Sequence, residues 1–372
     1  MHAGNPDLVE FIRGVIRRDG PVTFAWFMEQ ALYHPQFGYY SSGRCQIGRK
    51  GDYFTNVSVG PLFGRILAAQ FAEMWRVLGR PDQFTIVEQG SHHADFARDV
   101  LEASRDAEPE FFEALRYSII ESLPVLEARQ KETMRNFSGQ VMWWKSLDAL
   151  PEFCGVHFSN ELLDAMPARL VRRIGDGEWE EKFVAEAETG FEFVTLPIRD
   201  HRLRARLERI PRAGNGIYET EINLAALDWV QMIAAKIGRG FVLAVDYGFR
   251  RDEFFAPGRT SGTLQGYANH RRVSSPLSEI GQADITAHVE WTGIAERAEE
   301  CGLQIVGFTD QHHFMIGMLT VVEPAADQRR ALQTLMHPEL LGTRFQYLAL
   351  GKNVPAANLS GFRFAGDARK AL

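Results

Sequence analysis

Apolar positions recur at helical spacing near the start of the chain. Leu8, Phe11, Ile12 and Val15 form one stripe, and Phe24, Phe27, Met28 and Leu32 form a second. After the glycine-rich stretch SSGRCQIGRKGDYFTNVSVGP the pattern resumes over Leu62 to Leu78, with Phe63, Ile66, Phe71 and Trp75. Residues 1–80 therefore read as an N-terminal helical cap region. From Phe84 onward short apolar runs, FTIVE, YSIIE, QVMWW, VHFSN and GFVLAVDYG, alternate with helical stretches. That alternation predicts βα units, a mostly parallel central sheet and an α/β, Rossmann-like domain over 81–372. Too much chain for simple crossovers lies at about 168–220 and 250–287, which reads as an inserted subdomain. Within the first insertion ARLVRRI and FEFVTL are expected to pair as a hairpin, and near the end TRFQYLALG is expected as an added edge strand.

Composition narrows the possible functions. A hydrophobic share of 45% with 24% charged residues is that of a globular protein with a sizeable core. A net charge of −7 repels phosphate backbones, so nucleic acid is not the expected partner. Cys45, Cys154 and Cys301 are far apart and read as reduced thiols. The most apolar stretch, Phe241 to Val245, is far shorter than the roughly 20 residues needed to span a bilayer. Asp7 and Glu10 interrupt what would have to be the apolar core of a signal peptide. We expect a cytoplasmic protein without membrane insertion. His92-His93 and His312-His313 are adjacent pairs whose side chains diverge on a helix, and no thiol or carboxylate spacing completes a metal site, so none is expected.

The chemistry gathers at strand ends. FTIVE and YSIIE each finish on a carboxylate, Glu88 and Glu121, and open α/β sheets bind ligands outside the carboxyl ends of their strands. After Glu88, Gly90 permits a tight turn and Ser91 can cap the following helix, whose free N–H groups attract a carboxylate. Glu121 can take both hydroxyls of a ribose, each charge-assisted bond contributing about 1.5–3 kcal/mol before desolvation. An adenosine ligand suits this set, although a strand–glycine–helix turn alone is common to many α/β proteins. A dinucleotide needs G-x-G-x-x-G for its pyrophosphate, and here the stretch is GSHHAD, with His92 and Ala94 in the later glycine places. This argues against a nicotinamide oxidoreductase. S-adenosylmethionine carries no phosphate and is the expected cofactor.

In motif after motif the chain resembles the MidA-like family of S-adenosylmethionine-dependent methyltransferases, related to the mitochondrial complex I assembly factor that dimethylates an arginine. The resemblance runs nearly end to end, through FMEQALYHPQFGYY, IGRKGDYFTNVSVGPLFG, VEQGSHHADFARDVL, YSIIESLPVLEARQ, FSNELLDAMPARL, FVLAVDYGF, GTLQGYANHRR, GQADITAHVEWTGIAERAEECG and HPELLGTRFQYL. It implies a Rossmann-like methyltransferase fold and a protein substrate, with a respiratory-complex subunit in view. By match, Asp52, Phe54 and Thr55 would close over the cofactor, with Glu88, Gly90, Ser91 and His92 at its turn. Glu121 would hold its ribose, Trp144 and Ser146 would lie near its adenine, and Asn160 would sit close to the reactive methyl. Glu161, Asp164 and Asp246 are the candidate catalytic carboxylates. Glu161 and Asp164 share a face, and can hold a guanidinium between them, if the FSN strand runs into a helical turn. The family turn reads E-x-G-x-G-x-G, of which this chain keeps Glu88 and Gly90. The β-carbons of His92 and Ala94 fit that turn if their backbone angles are negative. The alternative to an active enzyme is a methyltransferase-fold assembly or interaction protein with impaired turnover.

Overall fold

The computed structural model describes residues 4–42, 55–211, 216–268 and 271–372. The chain divides into two compact units, residues 1–54, 163–228 and 249–291 in the first, and 55–162, 229–248 and 292–372 in the second. Among the described residues no helix is long and apolar enough to cross a membrane.

In the first unit α1 (Pro6–Asp19) and α2 (Phe24–Tyr33) follow the apolar stripes of the sequence. Asn5 caps α1 by accepting from the N–H groups of Asp7 and Leu8, and Thr23 caps α2 by accepting from that of Trp26. Leu8, Ile12, Phe24, Phe27, Met28 and Leu32 are buried together with Leu170 and Val184 of an antiparallel sheet. In that sheet Arg169–Ile174 lies between Glu180–Glu186 and Ile217–Ile222, and Phe191–Pro197 pairs with the far side of Glu180–Glu186. The expected hairpin of ARLVRRI with FEFVTL is therefore not made, because EEKFVAE intervenes as a strand. Its charges disguise it in the sequence, and the structure pairs them: Arg169 holds Glu181 through Nε and Nη2, and Lys182 meets Glu219 at 2.7 Å.

The second unit is built on strands β1 (Phe84–Gln89), β2 (Leu115–Ile120), β3 (Val141–Trp144), β4 (Phe153–Asn160), β5 (Ile237–Phe249), β6 (Gln304–Asp310) and β7 (Phe345–Lys352). They stand in the order β6-β7-β5-β4-β1-β2-β3. Neighbours from β5 to β3 are parallel, while β7 runs antiparallel to both β5 and β6. TRFQYLALG is thus an interior strand and not an edge. Tyr347, Leu348 and Ala349 are 0% exposed, so β7 is covered on both faces, and a long apolar run without alternation is what such a place requires. The chain leaves β1 for β2 and β3 on one side and returns to β4 on the other, so the order reverses between β1 and β4. Helix α3 (Leu62–Val77) packs on α4 (Asp95–Ala107), where Gly64 lies so close that a β-carbon there would come within 2.6 Å of Asp99 Cβ.

Two of the central strands, β4 and β5, carry a glycine where each approaches its neighbour most closely. Gly155 of β4 has φ 153°, and a β-carbon on it would fall 2.0 Å from the Thr85 carbonyl oxygen of β1. Gly240 of β5 has φ 147°, and its β-carbon would fall 1.9 Å from the carbonyl oxygen of Gly155. These approaches are backbone to backbone and cannot be relieved by a rotamer. Gly155→Ala is expected to destabilise the fold by about 3 kcal/mol, the sum of clash and unfavourable dihedral. Chemical denaturation would show this, and an unchanged midpoint would refute the close-approach account.

Candidate functional site

Open α/β sheets bind ligands where strand order reverses, beyond the carboxyl ends of the strands. At that place β1 hands over to α4 through Gly90, Ser91, His92, His93 and Ala94. Gly90, His92 and Ala94 have φ of 82°, 46° and 62°. The left-handed conformation of a glycine turn is kept although two of its positions carry β-carbons, so the negative angles that would accommodate them are not adopted. For non-glycine residues each such position costs about 1–2 kcal/mol. The loop is tied at several points. Gln89 Oε1 accepts from Trp229 Nε1 at 3.0 Å, the Ala94 N–H donates to the Ser91 carbonyl at 2.7 Å, and the His92 carbonyl accepts from Gln130 Nε2 at 3.0 Å.

Glu121 follows β2 directly. Its Oε1 accepts from the Leu123 N–H at 2.8 Å and its Oε2 from Gln130 Nε2 at 2.9 Å, which fixes the carboxylate and leaves further lone pairs on both oxygens. Burial pushes its pKa up, against the lowering effect of those two donors. Glu88 is placed differently from the expectation that it lines the crevice. It is 4% exposed, its Oε2 accepts from the Tyr117 phenol at 2.7 Å, and burial pushes its pKa up to about 8. Trp144 donates from Nε1 to Ser118 Oγ at 3.2 Å, and Trp143 donates to Gln130 Oε1 at 3.1 Å. Ser146 is exposed, where its hydroxyl accepts from the Ala149 N–H at 3.3 Å and caps a turn.

Beyond β4 a second set of side chains is linked in series. Asn56 Nδ2 donates to Asn160 Oδ1 at 3.1 Å, and Asn160 Nδ2 donates to Glu161 Oε1 at 2.8 Å. Glu161 has φ 54°, and its N–H donates to the Val245 carbonyl at 2.9 Å. Asp246 is 1% exposed and its two oxygens accept from the backbone N–H groups of Leu162 and Tyr247 at 3.1 and 2.8 Å. The chain does not enter a helix after β4 but bends and turns through residues 161–166. The spacing of three between Glu161 and Asp164 therefore does not set them on one helical face, and the left-handed backbone at Glu161 is the reason. Asp164 belongs to the first unit, where it is 7% exposed. Thr55 is buried, and its hydroxyl and that of Ser58 lie 3.0 Å apart. Asp52 and Phe54 lie outside the described residues.

Among the described residues no group of three or more His, Cys, Asp or Glu is arranged to hold a metal ion. His93 Nε2 lies 3.1 Å from Arg129, His312 Nδ1 2.8 Å from the Met336 carbonyl, and His313 Nδ1 2.7 Å from Asp310. Sequence reasoning missed Gln130, Tyr117 and Asn56. Tyr117 stands inside the quoted strand YSIIE and Gln130 ends the quoted motif, but only the fold shows that they meet Glu88 and the loop.

The residues fit S-adenosylmethionine. Ser91 Oγ and Asn56 Oδ1 are buried polar atoms with no hydrogen-bond partner among the described residues, and Glu121 retains acceptor capacity. Gly90 lets the backbone take φ 82° there, and a β-carbon on it would already touch Leu162 Cδ1 at 3.4 Å. An open sheet with one antiparallel strand, a tight turn after β1 and a carboxylate after β2 suit a nucleoside-binding enzyme, and the S-adenosylmethionine-dependent methyltransferases are the class of this kind that the chain matches. The chain belongs to a family of S-adenosyl-L-methionine-dependent methyltransferases whose model matches residues 66–309. It is similar to a superfamily member from Burkholderia thailandensis solved with S-adenosyl-homocysteine bound, at 30% identity and TM-score 0.88 over 98% of each chain. It also resembles the mitochondrial protein arginine methyltransferase NDUFAF7 homolog of Drosophila melanogaster, 27% identical over 98% of this chain and 89% of that one. For the mitochondrial NDUFAF7 of Homo sapiens the identity is 25%, over 95% and 85%.

Two outcomes follow from this geometry. Ala94→Gly removes a left-handed alanine at a cost of about 1–2 kcal/mol and adds about 0.4–1 kcal/mol of unfolded-state entropy. It is expected to stabilise the protein by about 0.5–1 kcal/mol in equilibrium unfolding, and a loss of stability would refute the strain. Glu88 binds its proton more tightly in the folded state, at about 8 against an ordinary 4.5. Its contribution is therefore fully present below pH 4.5 and is lost as pH rises toward 8, with a slope of at most about 1.4 kcal/mol per unit. Glu88→Gln should remove that slope, so the variant gains on the wild type between pH 5 and 8. Parallel stability profiles would show that Glu88 is ionised in the fold.

Proposed function

We propose that this methyltransferase acts on an arginine side chain of a partner protein, with Glu121 on the cofactor ribose and Glu161 facing the acceptor. The observation that carries the reading is that relatives aligned over nearly the whole chain are named protein arginine methyltransferases. A respiratory-complex subunit is the acceptor class implied by the sequence resemblance. A cytoplasmic site of action stays part of the reading, whereas the relatives are named mitochondrial.

S-adenosylmethionine supplies an electrophilic methyl group on a sulfonium. A guanidinium nitrogen forms the new N–C bond as the C–S bond breaks, S-adenosylhomocysteine departs and one proton leaves the acceptor. Because the guanidinium pKa is above 12, its nitrogen is a poor nucleophile until hydrogen bonds localise its electron density. Glu161 suits that task. Asn160 orients its carboxylate, and Asn56 in turn fixes Asn160, so the group enters the reaction without losing rotamer freedom. Asp246 supports the same turn through the Leu162 N–H. Asp164, three residues on, is the second candidate carboxylate by its place in the sequence. On the cofactor side the reading gives Thr55, Ser91, His92, Trp144 and Ser146 to the nucleoside and amino-acid parts, with Asn160 near the methyl.

The test is methyl transfer from labelled cofactor into lysate proteins by wild type, Glu161→Gln and Asp164→Asn at equal cofactor occupancy. Label is expected on arginine, and Glu161→Gln should lower the rate at least tenfold, about 1.4 kcal/mol of transition-state binding. Label on lysine or on small molecules, or full activity in both variants, would overturn the assignment.

A further inference from the structure

Gln130 lies on α5 (Pro124–Thr133) and is 0% exposed. Its amide makes three hydrogen bonds. Nε2 donates to the His92 carbonyl at 3.0 Å and to Glu121 Oε2 at 2.9 Å, while Oε1 accepts from Trp143 Nε1 at 3.1 Å. The chemistry of the partners fixes the orientation of the amide. An indole N–H can only donate, so the oxygen must face Trp143, while a carbonyl and a carboxylate can only accept, so the nitrogen must face the loop and Glu121. One buried side chain thereby holds both the turn after β1 and the carboxylate after β2. The turn needs such a hold, because His92 is left-handed at φ 46° without being glycine.

We infer that Gln130 is a positioning residue of the cofactor site: it holds the left-handed turn at His92 in the shape a glycine would take unaided, and it aims the Glu121 carboxylate at the ribose. The second half rests on the assignment of Glu121 given above. Gln130 makes its contribution without touching the ligand, and the part that acts through the loop becomes dispensable once residue 92 prefers the left-handed conformation by itself.

The experiment is calorimetric titration of the full chain with S-adenosylhomocysteine. Gln130→Met keeps the length and apolar packing of the side chain but removes both donors, and it should weaken binding about tenfold. In a His92→Gly background the same change should cost threefold or less, a coupling that a merely structural role would not produce. Trp143→Phe removes the donor that fixes the amide and should cost about threefold, which keeps the inference testable if Gln130→Met fails to fold. Glu121→Ala tests the underlying assignment separately and should weaken binding tenfold or more. Wild-type affinity in Glu121→Ala overturns the ribose assignment, and the aiming role with it. A weakened Glu121→Ala beside an unaffected Gln130→Met and Trp143→Phe overturns the role of Gln130. Losses from Gln130→Met that are equal with histidine or glycine at position 92 overturn the hold on the loop.

Discussion

Between the end of β1 and the start of α4 the backbone must turn left-handed at Gly90, His92 and Ala94, and the surrounding structure is organised around holding it there. A turn of this kind exposes N–H groups toward the crevice, which is how a protein presents donors to an anionic group without spending side chains on them. With glycine at one of the three positions only, the conformation has to be imposed from outside. Trp229 anchors Gln89 before the turn, Gln130 takes the carbonyl in its middle, and behind it α4 is wedged by Phe96, whose ring stacks on Phe158 of β4 at 4.5 Å. The parallel pairing of β1 with β4 sets where these anchors stand, and Gly155 allows that pairing, as Gly240 allows that of β5 with β4.

The carboxyl groups at the same end of the sheet sit in graded environments. Glu88 shares its burial with a phenol and holds its proton into the neutral range. Glu121 is buried too, but a backbone N–H and an amide favour its ionised form. Asp246 spends its oxygens on the backbone, and Glu161 is oriented by an amide on one oxygen. Because each of these acids has its own bonded surroundings, one end of the sheet carries several of them.

Much of the second unit can be read from the residues, because buried parallel strands leave apolar runs and a carboxylate after a run marks its end. FTIVE, YSIIE and VHFSN were legible for that reason. The place of Phe345–Lys352 was not, since periodicity reports burial and not neighbours, and an interior antiparallel strand looks the same as any other buried one. EEKFVAE was hidden by charges whose partners, Arg169 and Glu219, lie on other strands. At the site Glu121 stood out by position alone. The left-handed angles at His92 and Ala94 did not, because residue type argues against them and only tertiary contacts override that preference. Nor did the break after Asn160, where the spacing of Glu161 and Asp164 suggested a helix that a single positive φ prevents.

The first unit is assembled from three separate stretches of chain, the last ending at residue 291. During translation its opening helices emerge early, and their apolar faces must wait for partners such as Leu170, Val184 and Ile285 that are made much later. At about 5–20 residues per second the ribosome takes tens of seconds to supply them. For that interval Phe24, Phe27 and Met28 are an unsheltered hydrophobic segment on a nascent chain. The interleaved connectivity thus makes the N-terminal helices natural clients for chaperones, a demand that a chain with its units laid end to end would avoid.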